Sequence, residues 1–152
     1  MELTSTQIKK YAKYSQPGLK KKAKDIFHKY IRLRDSENGI FTCCTCNRTL
    51  VINGGNCHAS HFHSAGHNGA TEFDEKNVHS SCSRCNLFLH GNLIEYQKFM
   101  LKKYGLSVLD ELEQKRNLPF KPDRFYFIGI IIEYQEKIKK LNSYLIVTNQ
   151  TK

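Results

Sequence analysis

The chain has 152 residues, 39% of them hydrophobic, and a formal net charge of +10 from 24 Lys and Arg against 14 Asp and Glu. This length predicts one domain with helical extensions, and this charge predicts a polyanionic partner, with nucleic acid the first candidate. The longest apolar run, 125–132, is too short to cross a bilayer, so no membrane partner is expected.

The first part of the chain is predicted to be an arm followed by a basic helix. Residues 1–18 form a flexible or helical arm, which Pro17-Gly18 ends. In residues 19–35 apolar side chains recur at the helical period, with basic side chains on the other face. We expect this basic face to bind DNA phosphates through Lys20, Lys21, Lys22, Lys24, Arg32 and Arg34.

The middle of the chain is predicted to hold short strands and then helices. Strands are expected at 40–42 and 49–52, and the sequence NGGN at 53–56 is typical of a hairpin turn. The returning strand is expected at 57–63. A helix with a kink or break at Gly91-Asn92 is then predicted over 83–104, and a short acidic helix over 108–114.

Residues 117–152 are predicted to form a C-terminal helix and tail, which pack on the core or dimerise. Asp123 is a candidate cap for a helix from Arg124 to about Leu141. The apolar run 125–132 could instead be a buried strand, because β-branched residues dominate it. If it is helical, it is the expected surface of a homodimer.

Two C-x2-C pairs, Cys43/Cys46 and Cys82/Cys85, predict a structural zinc site. Four thiolates close the tetrahedral shell of Zn2+, so this metal is expected to fold the domain rather than catalyse. Cys44 is an alternative to Cys43, although C-x-C is a poor tetrahedral bite. Disulfides are not expected, because no signal peptide precedes the cysteines.

The segment between the cysteine pairs indicates a nuclease. His61 falls on the returning strand, Asn77 follows it by 16 residues and Asn86 by 25. This order resembles that of HNH, or ββα-metal, endonucleases, in a variant whose final His is Asn. Hydrolysis of a phosphodiester needs a base to activate water and a divalent cation to neutralise charge.

A narrower resemblance rests on the run F-D-E-x-N-V-H-x-x-C-x-x-C-N from Phe73, with GNLIEY behind it. The chain resembles the NinG family of lambdoid phages, also called Rap, which are recombination nucleases acting on branched DNA. The resemblance implies an α+β fold, in which a zinc-stapled ββα-metal core within 19–116 carries flanking helices. It also implies a metal-dependent, structure-selective endonuclease in the bacterial host cytoplasm.

The resemblance further implies residue roles. His61 would be the general base, Asn86 a ligand of a catalytic Mg2+ or Mn2+, and Asn77 the side chain that holds the loop or the His61 ring. Further candidates are His58, His90 and Asp74 for the catalytic metal, Arg84 for DNA, and His63, His67 and His79 as polar loop residues or phosphate contacts.

Two other classes fit part of the sequence. A non-catalytic, zinc-stapled DNA-binding accessory protein would use the same cysteines and basic helices. A zinc adaptor of the RING or treble-clef kind would need a second metal set or an apolar groove. The spacing of His61, Asn77 and Asn86 favours the nuclease, since a protein that only binds has no use for it.

Overall fold

The computed structural model describes residues 3–66 and 69–150, with only the backbone described for 144–150. The helices are α1 (Ser5–Lys10), α2 (Gln16–Arg34), α3 (Leu93–Tyr104), α4 (Leu106–Arg116) and α5 (Arg124–Gln150). The strands are β1 (Ser36–Glu37), β2 (Ile40–Thr42), β3 (Thr49–Val51), β4 (Cys57–His61) and β5 (Val78–Cys82). The predicted α+β class is confirmed. Within the described ranges, every helix is too short or too polar to cross a membrane.

The chain divides into two compact units, and the division differs from the predicted one. The first unit comprises residues 1–34 and 121–152, and the second comprises residues 35–120. The predicted 19–116 boundary placed the basic helix in one domain with the cysteine core. In the structure this helix belongs to the other unit. The C-terminal helix, predicted to pack on the core or to dimerise, packs with the basic helix in the first unit. The reason is the pairing of α2 with α5, a long-range contact that no local pattern encodes.

The first unit is built on the apolar faces of α2 and α5. Leu19, Ala23 and Phe27 of α2 are fully buried, and the Phe27 ring meets Tyr134 of α5 edge-on at 4.8 Å. The Asp123 carboxylate accepts a hydrogen bond from the Tyr126 backbone N–H at 2.9 Å, which confirms the predicted cap. The run 125–132 is thus helical and not a strand.

The predicted dimer surface on α5 is largely inside the first unit. Within the run 125–132, the side chains of Phe127, Ile128, Ile131 and Ile132 are buried. The other side of the helix, with Phe125 and Ile130, borders an open groove of about 520 Å³. The four buried residues are therefore core and are not available to a second copy.

The second unit holds two small antiparallel sheets. One has the order β1-β2-β3, and the other pairs β4 with β5 in a register that runs from Cys57↔Cys82 to His61↔Val78. Strands β2, β3 and β4 were predicted and β1 and β5 were not, and the pairing of 49–52 with 57–63 across the NGGN turn was wrong. Strand β4 instead pairs with β5, a distant strand whose five residues are all buried. The NGGN turn therefore connects the two sheets.

The helical segment after β5 is broken, as predicted at Gly91-Asn92. One turn of π-helix spans Arg84–Phe88, and α3 begins at Leu93. Between them His90, Gly91 and Asn92 have φ values of 49°, 89° and 49°. A left-handed backbone cannot continue a right-handed helix, and glycine adopts it at little cost. Helices α3 and α4 then close a core around Tyr96, Met100 and Leu112.

Candidate functional site

The four predicted zinc cysteines meet in one place. The Sγ atoms of Cys43, Cys46, Cys82 and Cys85 all lie within 4.8 Å of one another, and the Cys46–Cys82 Sγ distance is 3.9 Å. Four sulfurs at ~2.3 Å from a tetrahedral metal lie ~3.8 Å apart. The geometry therefore fits a zinc-like metal, which these four residues could bind.

Local turns position the sulfurs. Cys43 and Cys46 stand in the turn between β2 and β3, where Cys43 N–H donates to Arg48 O at 2.9 Å and Asn47 N–H donates to Cys43 O at 3.0 Å. Asn47 takes φ 55° there, a conformation that asparagine tolerates well. Cys82 ends β5 and Cys85 lies in the π-helical turn. The two sheets thus bring the pairs together.

Cys43 and Cys44 have different surroundings. Burial opposes ionisation of Cys43, but hydrogen bonds from Thr45 Oγ1 and from nearby backbone N–H groups lower the pKa of this thiol to about 6. Burial raises the pKa of Cys44 far above its usual value, and Cys44 packs in the core of α3 and α4. The Cys43 sulfur lies within 4.8 Å of the sulfurs of Cys46, Cys82 and Cys85, so the geometry assigns Cys43 rather than Cys44 to the cluster.

Arg48 borders the candidate metal site, and the sequence analysis missed it. Its guanidinium Nη2 lies 4.0 Å from Cys82 Sγ, and hydrogen bonds to the sulfurs of Cys46 and Cys82 raise the pKa of Arg48. Asn92 Nδ2 also donates to Cys85 Sγ at 3.8 Å. Four thiolates on Zn2+ carry a net charge of −2, and such outer donors stabilise that charge.

A second polar cluster joins β4 to the π-helical turn. Ser60 Oγ donates to Asn86 Oδ1 at 2.5 Å, and Asn86 Nδ2 donates to His58 Nδ1 at 3.3 Å. Two of the predicted metal ligands, His58 and Asn86, are therefore in direct contact. Ser60 was not predicted, and it fixes the Asn86 amide with its oxygen towards the hydroxyl.

His61 is held by a different contact. Its ring Nε2 lies 2.9 Å from the backbone carbonyl oxygen of Glu72. A carbonyl can only accept, so the neutral ring carries its proton on Nε2 and its lone pair on Nδ1. Because side chains alternate along a strand, His61 lies on the face of β4 opposite to His58 and Ser60. His61 is therefore on one face of β4, and the face that contacts Asn86 through His58 and Ser60 is the other.

Asn77 holds the loop between β4 and β5. It is fully buried; its Oδ1 accepts from His63 N–H at 2.8 Å, and its Nδ2 donates to the carbonyls of His63 and Thr71, each at 3.0 Å. Of the two roles expected for Asn77, these contacts are those of the loop clamp. The loop carries Glu72, whose carbonyl fixes the His61 ring.

Asn77→Ala is therefore expected to destabilise the second unit. It leaves one buried and two partly buried backbone groups without their side-chain partner, at a cost of about 3 kcal/mol, or roughly 10–20 °C in Tm. Thermal unfolding followed by circular dichroism measures this loss. Asn117→Ala, the same change at an exposed residue after α4, is the control and should leave Tm nearly unchanged. Equal melting of the two variants would contradict the clamp.

Two other metal-ligand candidates have different surroundings. Asp74 caps its own turn by accepting from Lys76 N–H at 2.9 Å, and it forms an ion pair with Lys115 at 2.5 Å. His90 is exposed in the left-handed turn. In the described part of the chain, neither joins a cluster of three or more His, Cys, Asp or Glu ligand atoms. Asp74 therefore has a structural role that the sequence analysis did not foresee.

The histidines interpreted as loop residues or phosphate contacts behave differently from one another. His79 is buried, and its Nδ1 and Nε2 lie 3.1 and 2.8 Å from the hydroxyls of Tyr96 and Tyr104. That interpretation was wrong for His79. Tyr96 in turn donates to the Ser60 carbonyl at 2.7 Å, so a buried network supports the strand that carries Ser60. His67 lies outside the described residues.

His63 also lies inside rather than on the surface. Its side chain is 11% exposed, and its Nε2 is 3.8 Å from the Glu113 carboxylate. Burial first, and then the Arg116 charge, lower the pKa of His63. A neutral, largely buried ring is unsuited to binding phosphate, so the structure gives His63 a packing role.

The predicted DNA-binding residues are divided between the units. Lys20, Lys21, Lys22, Lys24, Arg32 and Arg34 all lie on α2 in the first unit. Arg84 alone lies in the second unit, where it is exposed in the π-helical turn, two residues before Asn86. Only one of the seven predicted DNA-binding residues therefore belongs to the unit that carries the candidate site.

Comparison with known proteins adds a family. The family model described as Bacteriophage Lambda NinG protein matches residues 1–143. Protein ninG of Salmonella phage P22 is 28% identical over 124 residues, which cover 80% of this chain and 56% of the relative. Protein ninG of Escherichia phage lambda is 27% identical over 126 residues, which cover 81% and 57%.

The chain thus spans a little over half the length of these curated relatives. No solved structure matches it. The family match extends through both units and includes the cysteine cluster, His58, His61, Asn77 and Asn86. On this match, the chain belongs to the NinG family of bacteriophage proteins.

Proposed function

We propose that this chain is a metal-dependent, structure-selective DNA endonuclease of the HNH type, which acts on branched recombination intermediates such as a Holliday junction or D-loop. The observation that carries the proposal is that one short strand, β4, carries both the His61 ring fixed by the Glu72 carbonyl and, on its other face, the Ser60–Asn86–His58 cluster. The order of strand, clamped loop, strand and helical turn supports it, since that is the order expected of a ββα-metal site.

His61 is the general base of this proposal. Its Nε2 is tied to the Glu72 carbonyl, so the lone pair on Nδ1 is the proton acceptor. A base must be held in one tautomer and one orientation to take a proton from water in the transition state. The Asn77 clamp serves this role indirectly, because it holds the loop that supplies the Glu72 carbonyl.

His58 and Asn86 are the residues that would hold the catalytic cation. An amide oxygen suits Mg2+ and Mn2+, whereas an imidazole nitrogen favours the softer ion. The donor set thus fits Mn2+ better than Mg2+. The bound cation would neutralise charge on the scissile phosphate.

The direct test is cleavage of labelled four-way junction, flap and plain duplex DNA with Mn2+, with Mg2+ or with EDTA. We expect metal-dependent cutting, faster on branched DNA and with Mn2+. Shape and backbone rather than base edges would be recognised. Binding without cutting under every metal condition would instead favour a zinc-stapled DNA-binding accessory protein of recombination.

Asn86→Ala is expected to abolish cutting through loss of the cation, and a large excess of Mn2+ should restore part of the activity. Asn86→Asp keeps an oxygen at the same position and should retain activity at low metal concentration. The measurement is the cutting rate against Mn2+ concentration for both variants. An Asn86→Ala rate equal to that of the unchanged protein at limiting Mn2+ would remove Asn86 from the site.

A homodimer belongs to the proposal only for a symmetric substrate. A four-way junction presents two equivalent strands, and a twofold dimer would place one site on each. Light scattering of the protein with and without junction DNA measures the stoichiometry. The bacterial host cytoplasm, where phage recombination intermediates form, is the proposed place of action.

A further inference from the structure

The two units differ in charge. Residues 1–34 and 121–152 carry 16 Lys and Arg against 5 Asp and Glu, a net charge of +11. Residues 35–120 carry 8 against 9, a net charge of −1. The entire positive excess of the chain therefore lies in the first unit, whereas the cysteine cluster and the candidate catalytic residues lie in the nearly neutral second unit.

The excess is concentrated in a lysine patch on α1, α2 and the turn between them. Residues 3–24 contain no Asp or Glu. Lys20 and Lys24 lie one helical turn apart, a spacing at which like charges destabilise a helix. A polyanion would relieve this repulsion. The patch consists of Lys9, Lys10, Lys13, Lys20, Lys21, Lys22 and Lys24, all exposed except the half-buried Lys22.

Aromatic rings hold part of the patch in place. The ammonium groups of Lys13 and Lys22 lie 5.8 and 5.5 Å from the centre of the same Tyr14 ring, and that of Lys10 lies 5.6 Å from the Tyr11 ring. Cation–π contacts favour these positions. Lysines that are distant in sequence therefore converge on one surface, which presents several charges together.

The surface beside Asn86 has the opposite character. Arg84 is the only Lys or Arg between Lys76 and Lys98. The neighbouring side chains are apolar, and Phe88 and Ile94 are 75% and 73% exposed. The candidate catalytic site therefore has little of the charge needed to bind a phosphate backbone.

We propose that one unit binds DNA and the other cuts it. The lysine patch of the first unit binds the DNA backbone, and the second unit carries the cutting site. This rests on the proposed nuclease function. The partner is the sugar–phosphate backbone of a duplex arm, which several lysines neutralise without reading bases. The second unit adds chemistry but little affinity.

The test compares two matched double variants of the full chain in DNA binding without added Mg2+ or Mn2+. Lys20→Gln with Lys24→Gln removes two charges one turn apart on α2, and Lys98→Gln with Lys102→Gln removes two exposed charges at the same spacing on α3. Affinity for a labelled duplex is measured against salt concentration. Each lost phosphate contact lowers the salt slope by ~0.9, so the α2 variant should lose up to ~1.8 in slope and up to roughly sixty-fold in affinity at 0.1 M salt.

The α3 variant should bind as the unchanged protein does. Equal losses in both variants, or a loss in the α3 variant alone, would overturn the division. Unaltered binding by the α2 variant of a protein that cuts DNA would overturn it as well and leave the nuclease proposal standing. A lower salt slope in the α2 variant, in a protein that never cuts DNA, would support DNA binding by the lysine patch and reject the proposed nuclease function.

Discussion

Cys82→Ser is expected to remove the metal from the second unit and to unfold it. The four Sγ atoms lie within 4.8 Å of one another, so all four thiolates are needed to complete the shell of one metal ion. Binding of a structural zinc contributes on the order of 10 kcal/mol, which is comparable with the whole stability of a small domain. The strands of the two sheets that carry the cysteine pairs are only two to five residues long. Such short strands have little other stabilisation.

Elemental analysis for zinc and thermal unfolding followed by circular dichroism measure this effect. Cys44→Ser is the matched control, since it makes the same chemical change one residue from a cluster member. Cys44 lies in the core of α3 and α4, so its replacement should lower Tm moderately and leave one metal per chain. A folded Cys82→Ser protein without metal would refute the structural role of the cluster, and loss of metal in Cys44→Ser would refute the choice of Cys43.

His61→Ala is expected to abolish DNA cutting while metal content and DNA affinity stay close to those of the unchanged protein. His61 lies outside the four-cysteine cluster and outside the lysine patch, so its loss should affect the proton transfer and little else. A positioned general base contributes ~10^2–10^4-fold in rate. Loss of the Glu72 hydrogen bond should cost only about 1 kcal/mol in stability.

A second variant separates the base from the hydrogen bond. His61→Gln can still donate an N–H to the Glu72 carbonyl but cannot take a proton from water, so it should be as inactive as His61→Ala. His63→Ala, the same change at a largely buried packing residue, is the control and should cut. The assay is single-turnover cleavage of junction DNA with Mn2+. Cutting by His61→Gln at the normal rate would reject His61 as the base.

Several structural features of this protein could be predicted from residues that are close together in the sequence. The helical period of 19–35, the Asp123 cap and the left-handed break at Gly91-Asn92 each depend on residues a few positions apart, and the structure has all three. The spacing of the cysteines identified the cluster because a metal shell constrains ligand type and number so strongly. Composition alone predicted a polyanionic partner, but not where the charge lies.

Local sequence patterns could not predict which segments pair when they are far apart in the sequence. The turn at 53–56 is a good hairpin signal, yet β4 pairs with β5, because both strands must be buried and the turn residues do not determine which strand comes alongside. Similarly, nothing near His79 indicated its burial. Its two tyrosine partners lie 17 and 25 residues away.

The sequence by itself determined the family, the main helices, three of the five strands and the residue types of both candidate sites, because each depends on short spacings and on side-chain chemistry. Only the tertiary structure decided that α2 packs with α5, so that the lysine patch and the cysteine cluster belong to different units. It also decided that Asn86 meets Ser60 and His58 while His61 is held by Glu72. These contacts are set by which apolar faces bury one another, and burial depends on the whole chain rather than on any one segment.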